Sequence, residues 1–241
     1  MRGTYTHRRM QGQQVNMLVG ECPHQCPWCF TEVYCAQRKT RMKYTGPLRF
    51  WDGTWVVPSI KKNPHYRRIV RMQSCVDMFA DEVDREYILD ILDWCRKQPQ
   101  NVYKFRTRNP ARIFEFEDMM PKQCMVICEL ESNRDYGLTK APPPEDRYKA
   151  MLALTRSFVT AVDLKPLLPF DHDVLVEWIR SMDVQWCYFT ALHKWVTWRP
   201  PMGEPELSEI AQLIFGVAMY TDVYIGPTFK YLLLRKAGID E

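Results

Sequence analysis

The sequence predicts an α/β protein on a parallel sheet, either an open doubly wound sheet or a curved partial barrel. Two observations lead there. Strand-like and helix-like segments alternate about six times along the 241 residues. The composition is that of a globular chain, 46% apolar and 26% charged, so disorder, collagen and coiled-coil classes drop out and a sizeable core can be buried. No GxGxxG follows a strand and no GxxxxGK[ST] occurs, so the common nucleotide-phosphate folds lose support.

After a polar opening, QVNMLVG at 14–20 reads as a short buried strand running into a cysteine-rich loop. RRIVRMQS at 67–74 is the second strand. In VDREYILDILDWCRK, Ile88, Leu89, Ile91, Leu92 and Cys95 recur at helical spacing, with Asp84 and Glu86 near the positive end. VYKFRTR at 102–108 is a strand, Pro110 opens a short helix to about Phe116, and CMVICELES at 124–132 is the next strand. A helix starts near Pro144 or Glu145 after a proline-rich loop. Then come strand SFVTAVDLKP, helix DHDVLVEWIRSM capped by Asp171, strand QWCYFTAL, helix EPELSEIAQLIFGVAM and strand TDVYIG. A helix from about Pro227 to Lys236 ends the pattern. The expected organisation is one domain over 1–241, with a basic segment at 1–13 and a barrel core at about 14–236.

Charge is unevenly spread. Residues 1–72 hold 13 Lys/Arg against 3 Asp/Glu, net +10, within a chain of net +4. Arg8, Arg9, Arg38, Lys39, Arg41, Lys43, Lys61, Lys62, Arg67 and Arg68 form either a solvated face or a surface that steers a phosphate-bearing partner. No apolar run is long enough to span a bilayer and the N-terminus lacks a signal-peptide pattern, so an intracellular, cytoplasmic protein with no membrane partner is expected.

Nine cysteines, an odd count, argue against a disulfide framework. Cys75, Cys95, Cys124, Cys128 and Cys187 are scattered through apolar patterns and read as small buried hydrophobes. Cys22, Cys26 and Cys29 stand apart in GECPHQCPWCF, directly after the first strand. In a βα architecture chemistry sits at the C-terminal strand ends. Three thiolates on one loop need a fourth ligand, His24 or Cys35, to close a tetrahedral zinc site. On a [4Fe-4S] cubane they leave one iron open to an exogenous ligand.

The run Cys22-Pro-His-Gln-Cys26-Pro-Trp-Cys29 resembles the signature of the radical S-adenosylmethionine superfamily, with Trp28 in its aromatic slot. The segments SCVDMF, TRNPAR, ELESNRD, APPPEDR and VDLKP extend the likeness to the small enzymes related to spore photoproduct lyase and their phage-encoded relatives. The resemblance implies a partial (βα)6 TIM-like barrel of parallel strands with a [4Fe-4S] cluster on Cys22, Cys26 and Cys29. It implies S-adenosyl-L-methionine as cofactor, cleaved to methionine and a 5′-deoxyadenosyl radical that removes a hydrogen atom from a substrate. An electron donor such as flavodoxin or ferredoxin follows, in a cytoplasm that is the host's if the chain is phage-encoded.

For the cofactor, the resemblance points to Trp28 against adenine or the cluster loop, and to Asp77 or Ser74 at the methionyl ammonium. Neither matches the GGEP form of that motif, and a helix-entry cap is the alternative. Glu131 is suited to the ribose hydroxyls, Arg108 or Arg147 to the cofactor carboxylate through a bidentate fork, and Asn133 ends the same strand. Glu129 shares strand parity with Glu131, while Cys128 and Leu130 face the other way. Asp163, Lys165, Thr190 and His193 follow later strands and are expected to line a substrate pocket. Tyr188 and Tyr224 read as packing residues. The expected substrate is a nucleotide or nucleic-acid base; a modified peptide is the alternative, and a zinc-stapled nucleic-acid-binding module without redox chemistry the rival of another class.

Overall fold

Seven strands pair in parallel without interruption: β1 (Gln13–Val15), β4 (Ile69–Met72), β5 (Val102–Thr107), β6 (Cys124–Leu130), β7 (Val159–Leu164), β8 (Trp186–Phe189) and β9 (Asp222–Ile225). The structure is a computed structural model that describes residues 13–29, 31, 45–50, 68–73, 75–192, 196 and 198–238. The spatial order follows the chain order, with no reversal point. Right-handed crossovers in such an order put every connecting helix on the same face, which decides between the two expected architectures in favour of the curved partial barrel.

The helices follow from the sequence pattern. They are α1 (Arg85–Arg96), α2 (Pro144–Leu154), α3 (His172–Met182), α4 (Leu207–Ala218) and α5 (Pro227–Lys236). Ile88, Ile91, Leu92 and Cys95 of α1 are buried, as their spacing requires, and three helices or turns carry proline in the first turn, where the missing N–H costs nothing. Alternate strand residues divide the sheet into two faces. Val70, Met72, Tyr103, Phe105, Val126, Cys128, Leu130, Val162, Leu164, Cys187 and Phe189 join the helices in the main core. The opposite face lines the barrel interior, where Met125, Ile127, Ala161 and Tyr188 form a second, smaller cluster with Trp186 and Tyr224 against it.

Several expectations need correction. Among the described residues the sheet has seven parallel strands, all located by the sequence pattern, so it carries one strand more than the six-unit barrel that the resemblance implies. The strand expected at 14–20 is broken: β1 joins the parallel sheet, whereas β2 (Leu18–Val19) turns away and pairs antiparallel with β3 (Arg49–Phe50). The segment after Pro110 is a 3-10 helix that runs on to Met119. Asp171 stands at the N-cap of α3 without capping it, because its carboxylate is taken by Arg134 and Asn133. Cys75 is half-buried rather than core, while Cys95, Cys124, Cys128 and Cys187 are buried as expected. Of the basic patch, only Arg68 lies within the described residues; Ser74, His193 and Cys35 also lie outside them.

The break after β2 depends on Gly20. Its φ of +118° is a conformation that side chains disfavour, and a Cβ there would stand 2.6 Å from the Pro47 carbonyl oxygen and 2.8 Å from the Leu48 Cα. Both obstacles are backbone, so neither can swing aside. Gly20→Ala is expected to lower stability by about 1–3 kcal/mol and to loosen the loop that follows, which urea unfolding and alkylation rates of Cys22 would report.

Candidate functional site

The loop bearing Cys22, Cys26 and Cys29 leaves β2 and lies across the C-terminal ends of β4 and β5. Two short backbone bonds shape it, Gln25 N to the Cys22 carbonyl at 3.3 Å and Cys29 N to the Cys26 carbonyl at 3.0 Å. All three thiols are half-buried. Burial pushes Cys22 up to about 12 against backbone hydrogen bonds from Asp77 and His24, and the charges of Asp77 and Cys29 raise it further. Cys26 is also pushed up to about 12 by burial; Arg108 opposes this, while Glu129, Cys22 and Cys29 add to it. The three sulfurs therefore lie within one another's field.

Among the described residues, no three His, Cys, Asp or Glu side chains converge closely enough to hold one metal ion. A cubane asks for something different, since each thiolate takes a separate iron. Three soft sulfur donors on one loop fit an iron–sulfur group, and a metal would offset the cost of ionising Cys22 and Cys26.

Asp77 ties this loop to the barrel. Its Oδ2 lies 2.9 Å from His24 Nε2 and accepts the Thr107 hydroxyl at 2.9 Å and the Arg108 backbone N–H at 2.6 Å. Oδ1 accepts the Phe79 N–H at 3.0 Å. His24 is buried, and its carbonyl accepts the Lys140 N–H at 2.9 Å, which joins the segment after β6 to the same loop. Asp77 thus stands beside the cysteines with most of its acceptor capacity committed to holding them.

Behind it, Glu131 receives two buried arginines. Arg147, 1% exposed, gives both terminal nitrogens to the carboxylate at 2.8 and 3.1 Å and its Nε to the Pro142 carbonyl. Arg108 donates to Glu131 as well, and to the Lys165 carbonyl at 2.8 Å; its guanidinium lies 5.3 Å from the centre of the Trp28 ring. Burial alone would raise the Glu131 carboxyl; Arg108 and Arg147 outweigh it and hold the group below the usual range. Trp28 packs into an apolar cluster with Leu168 and Val196, 5.0 Å from Trp198, and its indole N–H has no partner among the described residues.

Of the remaining expected residues, Asn133 is drawn elsewhere, exchanging hydrogen bonds with Asp171 at the start of α3. Asp163 is fully buried in the barrel interior beside Arg106, which also binds Glu129 at 3.0 Å. Glu129 faces that interior, as its parity requires. Asp163 and Tyr188 are register partners on adjacent strands, and Asp163 Oδ1 and the Tyr188 hydroxyl have no partner among the described residues. Lys165 follows β7 and carries its charge close to Glu129; Thr190 follows β8, beside Gly226. Sequence reasoning passed over Lys104 and Arg106, although VYKFRTR places Lys104, Arg106 and Arg108 at period two, opposite Tyr103 and Phe105. That alternation was the available signal.

No family model and no curated protein matches the chain. Solved structures do. A spore photoproduct lyase variant with bound AdoMet and dinucleoside spore photoproduct superposes with a TM-score of 0.63 at 10% identity, over 88% of this chain and 76% of that one. The barrel is similar in fold to that of spore photoproduct lyase. Streptococcus suis SuiB matches at a TM-score of 0.58 and 8% identity, over 92% of this chain, which spans about half of SuiB (51%). SuiB bound to S-adenosylmethionine matches at 0.55 over 89% of this chain. At such identities the likeness is one of fold, a partial TIM-like barrel. Among the described residues, no helix is long and apolar enough to cross a membrane.

Proposed function

We propose that this chain is a radical S-adenosylmethionine enzyme in which Cys22, Cys26 and Cys29 hold a [4Fe-4S] cluster. The observation that carries the reading is the three-thiol loop lying over the strand ends of a barrel shared with proteins solved with AdoMet bound. Held by Cys22, Cys26 and Cys29 and served by an electron donor such as flavodoxin or ferredoxin, such a cluster would supply the one-electron chemistry for cleaving S-adenosylmethionine to a hydrogen-abstracting 5′-deoxyadenosyl radical.

The chain's own residues bind and orient. Asp77 and His24 fix the cysteine loop against β5, and Trp28 closes its flank against Trp198. Glu131 and Arg147 act as positioning residues that hold Arg108 beside Cys26 and Trp28. Asp77 keeps room on Oδ1 for an ammonium, with Ser74 the neighbouring candidate. Asp163, Lys165, Thr190 and His193 are assigned to the substrate side.

The substrate we favour is a nucleotide or nucleic-acid base. The +10 charge of residues 1–72 supports it, as does likeness to a lyase solved with a dinucleoside. A modified peptide is the second reading, because the fold likeness divides between spore photoproduct lyase and SuiB and so selects no substrate class. Anaerobic purification with metal and sulfide analysis tests the cluster: about four iron and four sulfide per chain are expected, lost together in air. Stoichiometric zinc without iron would favour the zinc-stapled binding module.

A further inference from the structure

We propose that a cavity beside the C-terminal ends of β7, β8 and β9 binds a small anion with a hydrocarbon body, such as a medium-length carboxylate. Residues that follow each of these strands line it: Leu167 and Leu168 after β7, Ala191 and Leu192 after β8, Thr228 and Phe229 after β9. Ile210 of α4, Leu232 of α5 and Trp198 complete the wall. The cavity holds about 770 Å³, within the usual range of small-molecule sites.

The lining decides what body fits. Leu168, Ile210 and Phe229 are almost fully buried, so this wall continues the packed interior. Pro166, Pro200, Pro205 and Pro227 bring no backbone N–H to it. The Thr228 hydroxyl is committed to the Ala191 carbonyl at 3.4 Å. A base edge or a peptide amide buried against such a wall would leave its polar atoms unpaired, which is costly. A hydrocarbon body has nothing to leave unpaired.

The charges decide what the body carries at its end. Among the described residues, Arg199, Arg235 and Lys236 line the cavity with one carboxylate, Glu204, which Lys236 meets at 3.3 Å and Arg235 at 3.7 Å. Arg199 meets no carboxylate among the described residues; its guanidinium donates to the backbone carbonyls of Trp198 at 3.0 Å and Val196 at 3.4 Å. Three cations around one carboxylate make the cavity complementary to an anion. The Trp198 ring also lies 5.0 Å from that of Trp28, so a ligand here sits one aromatic ring away from the cysteine loop. The site stands independently of the cofactor reading, and its test uses no S-adenosylmethionine.

The full chain would be titrated calorimetrically with octanoate, hexanoate, octanol and octylamine, each below its micelle concentration. Saturable binding of octanoate is expected, about ten-fold tighter than hexanoate because two more methylenes are buried. Octanol should bind about ten-fold more weakly than octanoate, and octylamine more weakly still. Arg199→Ala should weaken octanoate about five-fold or more and leave octanol within about two-fold, which separates the anionic end from the apolar wall. Ala191→Trp, which fills the cavity, should abolish binding of both. Octanoate binding that neither variant changes, affinity independent of chain length, or octylamine bound as tightly as octanoate would overturn the proposal. So would displacement of octanoate by an equal concentration of adenosine 5′-monophosphate, which would make the cavity a nucleotide site. Should Ala191→Trp fail to fold by circular dichroism, Arg199→Ala and the chain-length comparison decide.

Discussion

Cys22→Ala, Cys26→Ala and Cys29→Ala are each expected to abolish iron retention and 5′-deoxyadenosine formation together, while the protein stays folded. Each thiol occupies the same half-buried loop, and none contributes to the main core, so its loss costs little folding energy. A cubane held by three ligands has no spare one. Cys95→Ala is the contrast. Its side chain, on α1, is fully buried in the main core, which includes none of the three loop cysteines, so its loss should cost stability on the order of 1 kcal/mol and leave iron binding intact. Iron content and circular dichroism of the four variants check both halves. A Cys95 variant that folds but fails to bind iron would contradict the ligand assignment.

Glu131→Ala should be among the most destabilising single changes in the molecule. The carboxylate faces two guanidinium groups whose side chains are 5% and 1% exposed, and its removal leaves Arg147 without a carboxylate partner and Arg108 with Glu129 alone. Breaking a buried pair in this way typically costs about 3–5 kcal/mol, whereas Glu131→Gln, which keeps one acceptor oxygen, should cost less. Urea unfolding of the metal-free protein measures the difference. The pH dependence has a definite sign. Because the folded carboxyl is held below its ordinary value, the stabilisation is fully present above the unfolded value of about 4.3 and fades as pH falls below it toward the depressed folded value. Glu131→Ala should therefore flatten the acid limb of the stability profile. A variant as stable as wild type at pH 7 would show that the arginines find other partners.

Much of the fold could be read from the residues because the signals were local. Strand alternation and helical spacing located every parallel strand and every helix from α1 onward, since one face of each is apolar. What failed were features set by long-range contacts. The split at residues 16–17 depends on Pro47 and Leu48 crowding Gly20 from a distant part of the sequence, and nothing within QVNMLVG signals it. Asp171 resembled a helix cap by type, but Arg134 and Asn133 compete for its carboxylate.

The candidate site divides in the same way. Three cysteines with tight spacing on one loop were legible because the donor set is itself local. Asp77, Glu131 and Arg147 were singled out as charged residues at strand ends or helix starts, and sequence could not tell that their partners would be one another and His24, Thr107 and Arg108.

The most direct measurement is chromatography for 5′-deoxyadenosine after anaerobic incubation of the reconstituted full chain with dithionite and S-adenosylmethionine. Formation of 5′-deoxyadenosine and methionine is expected from the wild-type chain and not from the Cys22, Cys26 or Cys29 variants. A wild-type chain carrying about four iron and four sulfide that leaves S-adenosylmethionine intact would contradict the proposed chemistry, and a chain that takes up zinc in place of iron would contradict the cluster itself.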